Sequence, residues 1–501
     1  TYGSLTQPAD LGSGGGTCNG GSGGRGGGKL KISAGTLRMD GRISALGGDG
    51  NYSPPGTIGS FVGVGGGGSG GSLLITVSQL EGSGTITANG GSSLPPAARL
   101  GGGGGGGRIA VSYGVSVFVG TITARGGSGA QHGGAGTAVV GADLNIRNEV
   151  NGARTPIPPG NYSFDNVSVT TSASVELTAG TALIASNLEL VGPGLFTLNV
   201  GTVGATDLAT REGGHFRYNG GTLSVERVTV GPGGLLTLNH PLQTVTMLVQ
   251  SGGTVTHDPG VGSFDLTVSD ALTIDAGGRI TADRAGHDAE QGVGAGYNSS
   301  FNPFDSNGCA GGGAYGGLGG TGDAFHARSG ASYGSLTQPA NLGSGGGTCN
   351  GGRGGRGGGK LRISAVSLRL DGQISANGAD GDRSPAGTVS NFVGTGGGGA
   401  GGSVSLTVSQ FQGSGSISAD GGSGIKEGRP GGGGGGGRIA VAYDTSLFTG
   451  PITTRGGAGA QRGGAGTVIY GPQLTIANAA AGAITPIPSG TYAFDSVKVA
   501  S

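Results

Sequence analysis

Three stretches of the sequence decide the fold: KLKISAGTLRMDGRISALGG (residues 29–48), SLLITVSQLEGSGTITANGG (72–91) and RIAVSYGVSVFVGTITARGG (108–127). Each begins with apolar and polar residues in alternation, which is typical of a half-buried strand. Each then reaches an Ile-Ser-Ala or Ile-Thr-Ala signature and ends on glycine. Thr, Val and Ile are frequent, as they are on pleated surfaces, and no stretch has a helical period. The pattern predicts strand pairs, each followed by a glycine-rich excursion.

The sequence repeats at a longer distance as well. The string that begins at Tyr2 and ends at Lys29 returns between Tyr333 and Lys360 with only two changes, so one full repeat takes up most of the chain. The strand-pair units are a shorter repeat inside this long one. Because the sequence begins and ends at different phases of the long repeat, we interpret it as an excerpt or processed segment of a longer array.

Composition divides the chain into four sections. Residues 1–154 are the C-terminal part of a glycine-rich strand-pair section, and residues 155–263 are a glycine-poor section. Residues 264–484 form a complete second glycine-rich section, and residues 485–501 start the next glycine-poor one. Between Gly192 and Asp283, a tight turn followed by a strand recurs several times, as in GPGGLLTLN, which begins at Gly231. One coil per phrase favours a parallel β-helix, although a β-sandwich is an alternative for short strands between turns.

Glycine occurs in blocks, and it accounts for 126 of the 501 residues. Gly101 and Gly107 bound one run of seven, and Gly431 and Gly437 bound its counterpart in the second copy. The run keeps its length although the preceding segment changes from SSLPPAARL to SGIKEGRP. Backbones without Cβ atoms can pack side by side as polyproline-II strands, whereas flexible linkers are the alternative. We predict an all-β parallel solenoid with polyproline-II-like excursions packed on one face.

Several of these phrases resemble known proteins. GGGGSGGS, GGGGGGGRIAV and ITARGG resemble phrases of very large glycine-rich repetitive bacterial surface proteins of the β-helix type. This resemblance covers most of the repeat and implies secretion. The seven-glycine run also resembles the glycine-rich domain of anaplastic lymphoma kinase-type receptors and the springtail antifreeze proteins, in which such strands bundle. The second resemblance covers only the blocks, and it implies neither a ligand nor ice activity.

The three cysteines follow the long repeat. Cys18 and Cys349 occupy the same position in successive copies, and Cys309 precedes Cys349 within the long excursion that ends at Lys360. We predict a Cys309–Cys349 disulfide that closes this longest glycine-rich excursion, with Cys18 pairing outside the excerpt. Two free thiols are the alternative, which a reducing compartment would favour. A disulfide would indicate an extracellular protein.

Composition and charge exclude several partners. The net charge is zero, whereas nucleic acid and anionic membranes require a concentrated basic surface. No apolar run approaches the roughly 18 residues needed to span a bilayer. We therefore expect no nucleic acid and no membrane span, and we expect partners to be other copies of the chain or surface glycans.

Candidate catalytic and metal-binding residues are few. His132 becomes Arg462 in the second copy, so chemistry shared by the copies cannot need an imidazole there. The nearest carboxylate pair, Asp380 and Asp382, loses its second acid to Asn51 in the first copy. This pair fits a solvated turn, or at best a weak calcium loop. We expect no catalytic residue and no cofactor, and the two His-Asp dipeptides, His257-Asp258 and His287-Asp288, lack the spacing of zinc ligands.

These observations favour a non-catalytic structural repeat unit of a long extracellular or cell-surface fibre, sheath or surface layer. An adhesin or glycan-binding stalk, with the solenoid as a spacer, is the alternative. A β-helix enzyme acting on polysaccharides is a third hypothesis, because such enzymes share the predicted fold.

Overall fold

The computed structural model describes residues 2–53, 63–93, 101–262, 264–297, 310–322, 329–349, 351–383, 394–424 and 430–500. The described residues form β-strands, turns and extended segments and contain no helix. The chain divides into two compact units, Thr1–Leu236 and Thr237–Ser501. The prediction of an all-β parallel solenoid is confirmed.

The strands of the first unit are β1 (Lys29–Arg38), β2 (Arg42–Ser44), β3 (Ser72–Glu81), β4 (Thr85–Thr87), β5 (Arg108–Ser116), β6 (Thr121–Thr123), β7 (Thr137–Val140), β8 (Asp143–Arg147), β9 (Thr155–Ile157), β10 (Gly160–Thr170), β11 (Ser174–Leu177), β12 (Thr181–Val191), β13 (Leu195–Leu198), β14 (Thr202–Arg211), β15 (His215–Tyr218) and β16 (Thr222–Val230), and the division falls within β17 (Leu235–Leu238).

The long strands of the first unit stack coil on coil. Strands β1, β3, β5 and β7 form a parallel ladder, β8 reverses against β7, and β8, β10, β12, β14 and β16 continue in parallel. Short strands β2, β4 and β6 form a second ladder, and β9, β11, β13 and β15 form a third. In the glycine-poor section Gly160 pairs with Thr181, and Thr202 pairs with Thr222. Each coil there is short, since it holds only one long strand, one short strand and the turns between them.

The coils of the glycine-rich section are longer because each contains an excursion. Lys29 pairs with Ser72, Ser72 pairs with Arg108, and Arg108 pairs with Thr137. Successive coils therefore become shorter along this section. The excursions emerge between one short strand and the next long strand, so they come off the same edge of the stack.

The strands of the second unit are β18 (Leu242–Thr244), β19 (Thr246–Val249), β20 (Thr254–Thr256), β21 (Asp265–Ile274), β22 (Arg279–Thr281), β23 (Lys360–Leu370), β24 (Gln373–Ser375), β25 (Ser403–Gly413), β26 (Ser416–Ser418), β27 (Arg438–Phe448), β28 (Ile452–Thr453), β29 (Thr467–Tyr470), β30 (Gln473–Ala477) and β31 (Ser496–Ala500).

The second unit repeats the glycine-rich architecture. Strands β18 and β19 pair with β21, and β21, β23, β25, β27 and β29 form a parallel ladder. Strand β30 is antiparallel to β29 and parallel to β31, and β20, β22, β24, β26 and β28 form the second ladder.

The core consists of apolar side chains at alternate strand positions, stacked on equivalent residues of the next coil. Phe196 and Phe216 are fully buried on adjacent coils, with ring centroids 5.3 Å apart and nearly parallel planes. In the second unit Phe411 stacks on Phe448 at 4.3 Å. Each such buried side chain contributes about 1.5–3 kcal/mol to folding, which favours the register that stacks equivalent residues on one another.

Candidate functional site

The glycine blocks form an ordered layer with a three-residue period. Along residues 65–71, N–H donors three residues apart bond to one neighbouring segment, and the three sets bond to three different segments. Gly66 and Ser69 donate to the carbonyls of Gly16 and Ser13, Gly67 and Gly70 to Gly102 and Gly105, and Gly68 and Gly71 to Gly48 and Ala45, all at 2.8–3.0 Å. A polyproline-II helix has three residues per turn and no internal hydrogen bonds, so each of its sides needs a neighbour. The layer has the bonding of a polyproline-II bundle.

Glycine is required in the layer because the backbones touch. A Cβ atom on Gly67 would lie 1.8 Å from the Gly91 carbonyl oxygen, and one on Gly103 would lie 1.9 Å from that of Gly127. No residue of 101–107 has a positive φ, so a left-handed backbone is not the reason. A side chain at these positions would have to displace a neighbouring backbone, which favours glycine there.

The two seven-glycine runs differ in how completely they are covered. All seven residues of 431–437 are buried, whereas Gly102 is exposed and Gly105 is half-buried. In the first run the N–H groups of Gly102 and Gly105 have no acceptor among the described residues. In the second run every N–H group donates, in order, to Thr395 Oγ1 and to the carbonyl oxygens of Ala310, Gln461, Gly422, Gly313, Gly464 and Ala419.

The additional cover of the second run is a glycine-rich hairpin, residues 310–322. The two arms of the hairpin bond to each other through Gly312 N–H and the Gly320 carbonyl, at 2.9 Å. Tyr315 lies at its turn and is fully buried, and its hydroxyl lies 2.7 Å from Ser403 Oγ. This hairpin belongs to the excursion between β22 and β23, and no sequence pattern indicated its position.

An arginine follows each glycine run, and sequence reasoning did not identify it as important. Arg438 is fully buried, and its guanidinium donates to the Tyr333 carbonyl at 3.1 Å and to Thr467 Oγ1 at 3.2 Å. Its guanidinium carbon also lies 5.7 Å from the centre of the Tyr315 ring. Burial lowers the pKa of Arg438 below its ordinary value. The recurrence of GGGGGGGRIAV in both copies was the available signal.

Arg108 is the equivalent residue of the first unit. It donates to the Tyr2 carbonyl at 3.2 Å and to Thr137 Oγ1 at 3.3 Å, and burial lowers its pKa as well. The same side-chain framework is therefore built in both units, although among the described residues only the second unit holds a hairpin against it.

The cysteine pairings proposed from the sequence stay predictions. Cys309 lies outside the described residues, so the Cys309–Cys349 pairing stays a prediction. Cys349 is buried and packs against Ala310, the residue next to Cys309. Cys18 forms no disulfide with a described residue, and its pairing also stays a prediction. The turns are alike, because Cys18 N–H donates to Gly21 and Cys349 N–H donates to Gly352.

The residues considered for metal binding have structural partners. His257 is buried, its Nδ1 lies 2.8 Å from the Asp258 carbonyl, and its pKa is lowered by burial. Arg356 and Arg353 hold the Asp288 carboxylate, which lowers its pKa to about 2.

The candidate calcium loop is likewise part of the stack. The Asp380 carboxylate accepts a hydrogen bond from Ser423 N–H at 2.6 Å, and Asp49 accepts one from Ser92 N–H in the first unit. Each carboxylate therefore links one coil to the next. Among the described residues no group of three His, Cys, Asp or Glu side chains could hold a metal ion.

Comparisons with known proteins add no relative. No protein-family model matches the chain, and no curated protein or solved structure is significantly similar to it. Within the part of the chain that the structure describes, no helix is long and apolar enough to cross a membrane.

Proposed function

We propose that this chain is a non-catalytic structural repeat unit of a long fibre, sheath or surface layer, secreted or held at the cell surface. The observation that carries the proposal is a comparison of equivalent strands. Among the described strands β1 is paired only with β3, whereas the equivalent strand β23 is paired at both edges, with β21 and β25. Leu30 of β1 is 44% exposed, and its counterpart Leu361 is fully buried.

The last strand of the second unit, β31, also exposes apolar side chains that are buried in its counterpart. Val497 and Val499 of β31 are 59% and 74% exposed. Their counterparts in β10, Val167 and Val169, are buried between strands β8 and β12. Unpaired parallel edges with apolar side chains are templates for further strands. Both edges therefore fit a scaffold that associates with other copies of itself through strand pairing.

Self-assembly of the purified chain tests this proposal. We expect filaments to form without any ligand, with a fibre reflection at about 4.8 Å from stacked coils. Leu30→Asp places a charge on the unpaired edge and should abolish filaments while leaving the fold intact. Val119→Asp is the matched control, because Val119 is 83% exposed and its counterpart is Thr449.

Other outcomes would contradict the fibre or support one of the alternative functions. A chain that stays monomeric at high concentration, or assembly unchanged by Leu30→Asp, would contradict the fibre. Binding of surface glycans by a monomeric chain would support the adhesin or stalk instead. Hydrolysis of a polysaccharide would support the β-helix enzyme.

A further inference from the structure

A groove of about 390 Å³ lies along the seven-glycine run of the first unit. The N–H groups of Gly102, Gly105 and Gly134 have no acceptor among the described residues. Cβ atoms on Gly102 and Gly105 would meet nothing closer than 3.7 Å, so open space lies beside the run. The residues that line the groove include Tyr2, Gly102, Gly105, Arg108, Gln131 and Gly134.

The hairpin of residues 310–322 occupies the equivalent position in the second unit. There, the N–H groups that correspond to these three donors all have carbonyl acceptors on the hairpin. Gly432 donates to Ala310, Gly435 to Gly313 and Gly464 to Leu318, each at 2.8 Å. A Cβ atom on Gly435 would lie 2.1 Å from the Gly317 oxygen, so no space remains beside that run.

The first unit already contains the residues that would contact the hairpin tyrosine. In the second unit Tyr315 contacts Ser403 and Arg438. Their counterparts, Ser72 and Arg108, are held by the equivalent backbone carbonyls although no hairpin is present there among the described residues. Ser72 Oγ donates to the Asp10 carbonyl and Ser403 Oγ to the Asn341 carbonyl, both at 2.6 Å, and the two arginines bond to the equivalent carbonyls of Tyr2 and Tyr333.

We propose that this groove binds a glycine-rich hairpin of the 310–322 type, AGGGAYGGLGGTG, supplied by another copy of the repeat. Three features specify the occupant. It needs carbonyl groups at the spacing of the three N–H donors and glycines where the backbones touch. It also needs one tyrosine to contact Ser72 and Arg108. This site would connect repeat units by exchange of backbone hydrogen bonds. It deepens the proposed self-association, and its test is independent of filament formation.

Binding of a synthetic peptide with the sequence of residues 310–322 to the full chain tests the site. At saturating peptide, amide exchange of Gly102 and Gly105 followed by NMR should slow by at least about tenfold, since both N–H groups gain acceptors. A peptide with Gly312→Ala should not bind, because a Cβ atom there would lie 2.0 Å from a run carbonyl in the second unit. A scrambled peptide of the same composition is the second control.

The Gly105→Ala chain separates binding from folding. Its methyl group has room in the unoccupied groove, where the nearest atom is 3.9 Å away, but it would meet the backbone of a bound hairpin. We expect this chain to fold and to lose the peptide effect. No slowing at millimolar peptide, slowing by the scrambled peptide, or unchanged binding by Gly105→Ala would each overturn the proposal. If a chain that fails these tests still forms filaments, the fibre proposal is supported and the groove has no part in assembly.

Discussion

Two different physical demands select glycine in this molecule. At Gly213 the backbone has φ +95°, and the nearest atom to an added Cβ is 3.4 Å away, so conformation is the reason for glycine. At Gly104 the φ is not left-handed, but an added Cβ would lie 2.0 Å from the Gly68 oxygen. A run of identical glycines therefore contains positions of unequal importance, and the sequence alone does not distinguish them.

Alanine substitutions along the first run should reveal these unequal positions. Gly104→Ala should lower the free energy of unfolding by about 1–3 kcal/mol, because the methyl group displaces a neighbouring backbone. Gly105→Ala should stay within about 0.5 kcal/mol of the wild type, since its methyl group enters open space. Chemical denaturation measures both values.

The second run supplies the matched control. Gly434 and Gly435 are the counterparts, and added Cβ atoms would lie 2.0 Å and 2.1 Å from neighbouring carbonyl oxygens. Both alanine variants should therefore be destabilised there. Equal tolerance of alanine at all four positions would contradict a close-packed layer.

At the scale of elements, equivalent strands have unequal roles because their neighbours differ. Strand β23 is paired at both edges and buries Leu361, whereas β1 is paired with a described strand at one edge and exposes Leu30. The local sequences, KLKIS and KLRIS, are almost the same. Burial here depends on the next coil rather than on the strand itself.

Truncation of this leucine should measure the contribution of the next coil. We expect Leu361→Ala to lower the free energy of unfolding by about 2–5 kcal/mol, the usual cost of a cavity in a core. Leu30→Ala should cost less than about 1 kcal/mol, because its side chain is already in contact with solvent. Thermal or denaturant unfolding of the two variants measures both changes in the free energy of unfolding. Equal decreases would show that the edge of β1 is covered.

The sequence predicted the strands well because alternation and β-branched residues determine which face is buried. It also located the glycine layer, since Gly431 and Gly437 keep the spacing of Gly101 and Gly107. It could not place the 310–322 hairpin against residues 431–437. Register between segments is normally set by side-chain pattern, and glycine segments have almost none. The large buried side chain of the hairpin, Tyr315, contacts Ser403 and Arg438, which are distant from it in sequence.

At the scale of the whole molecule, each unit combines a β-stack with a glycine layer, and the same plan occurs twice. The β-stack gains stability from buried apolar side chains and ladder hydrogen bonds. The described part of the glycine layer has few apolar side chains, so its order depends mainly on backbone hydrogen bonds between neighbouring segments. The central claim is therefore that the glycine runs are packed structure and not linkers.

Amide hydrogen exchange of the two runs in the intact chain tests this claim most directly. All seven amides of residues 431–437 should exchange slowly, because every N–H group has an acceptor. In residues 101–107 the amides of Gly102 and Gly105 should exchange fast while Gly103, Gly104, Gly106 and Gly107 stay protected, a pattern with a period of three. Uniform exchange of both runs at the rate of an unstructured chain would contradict the account.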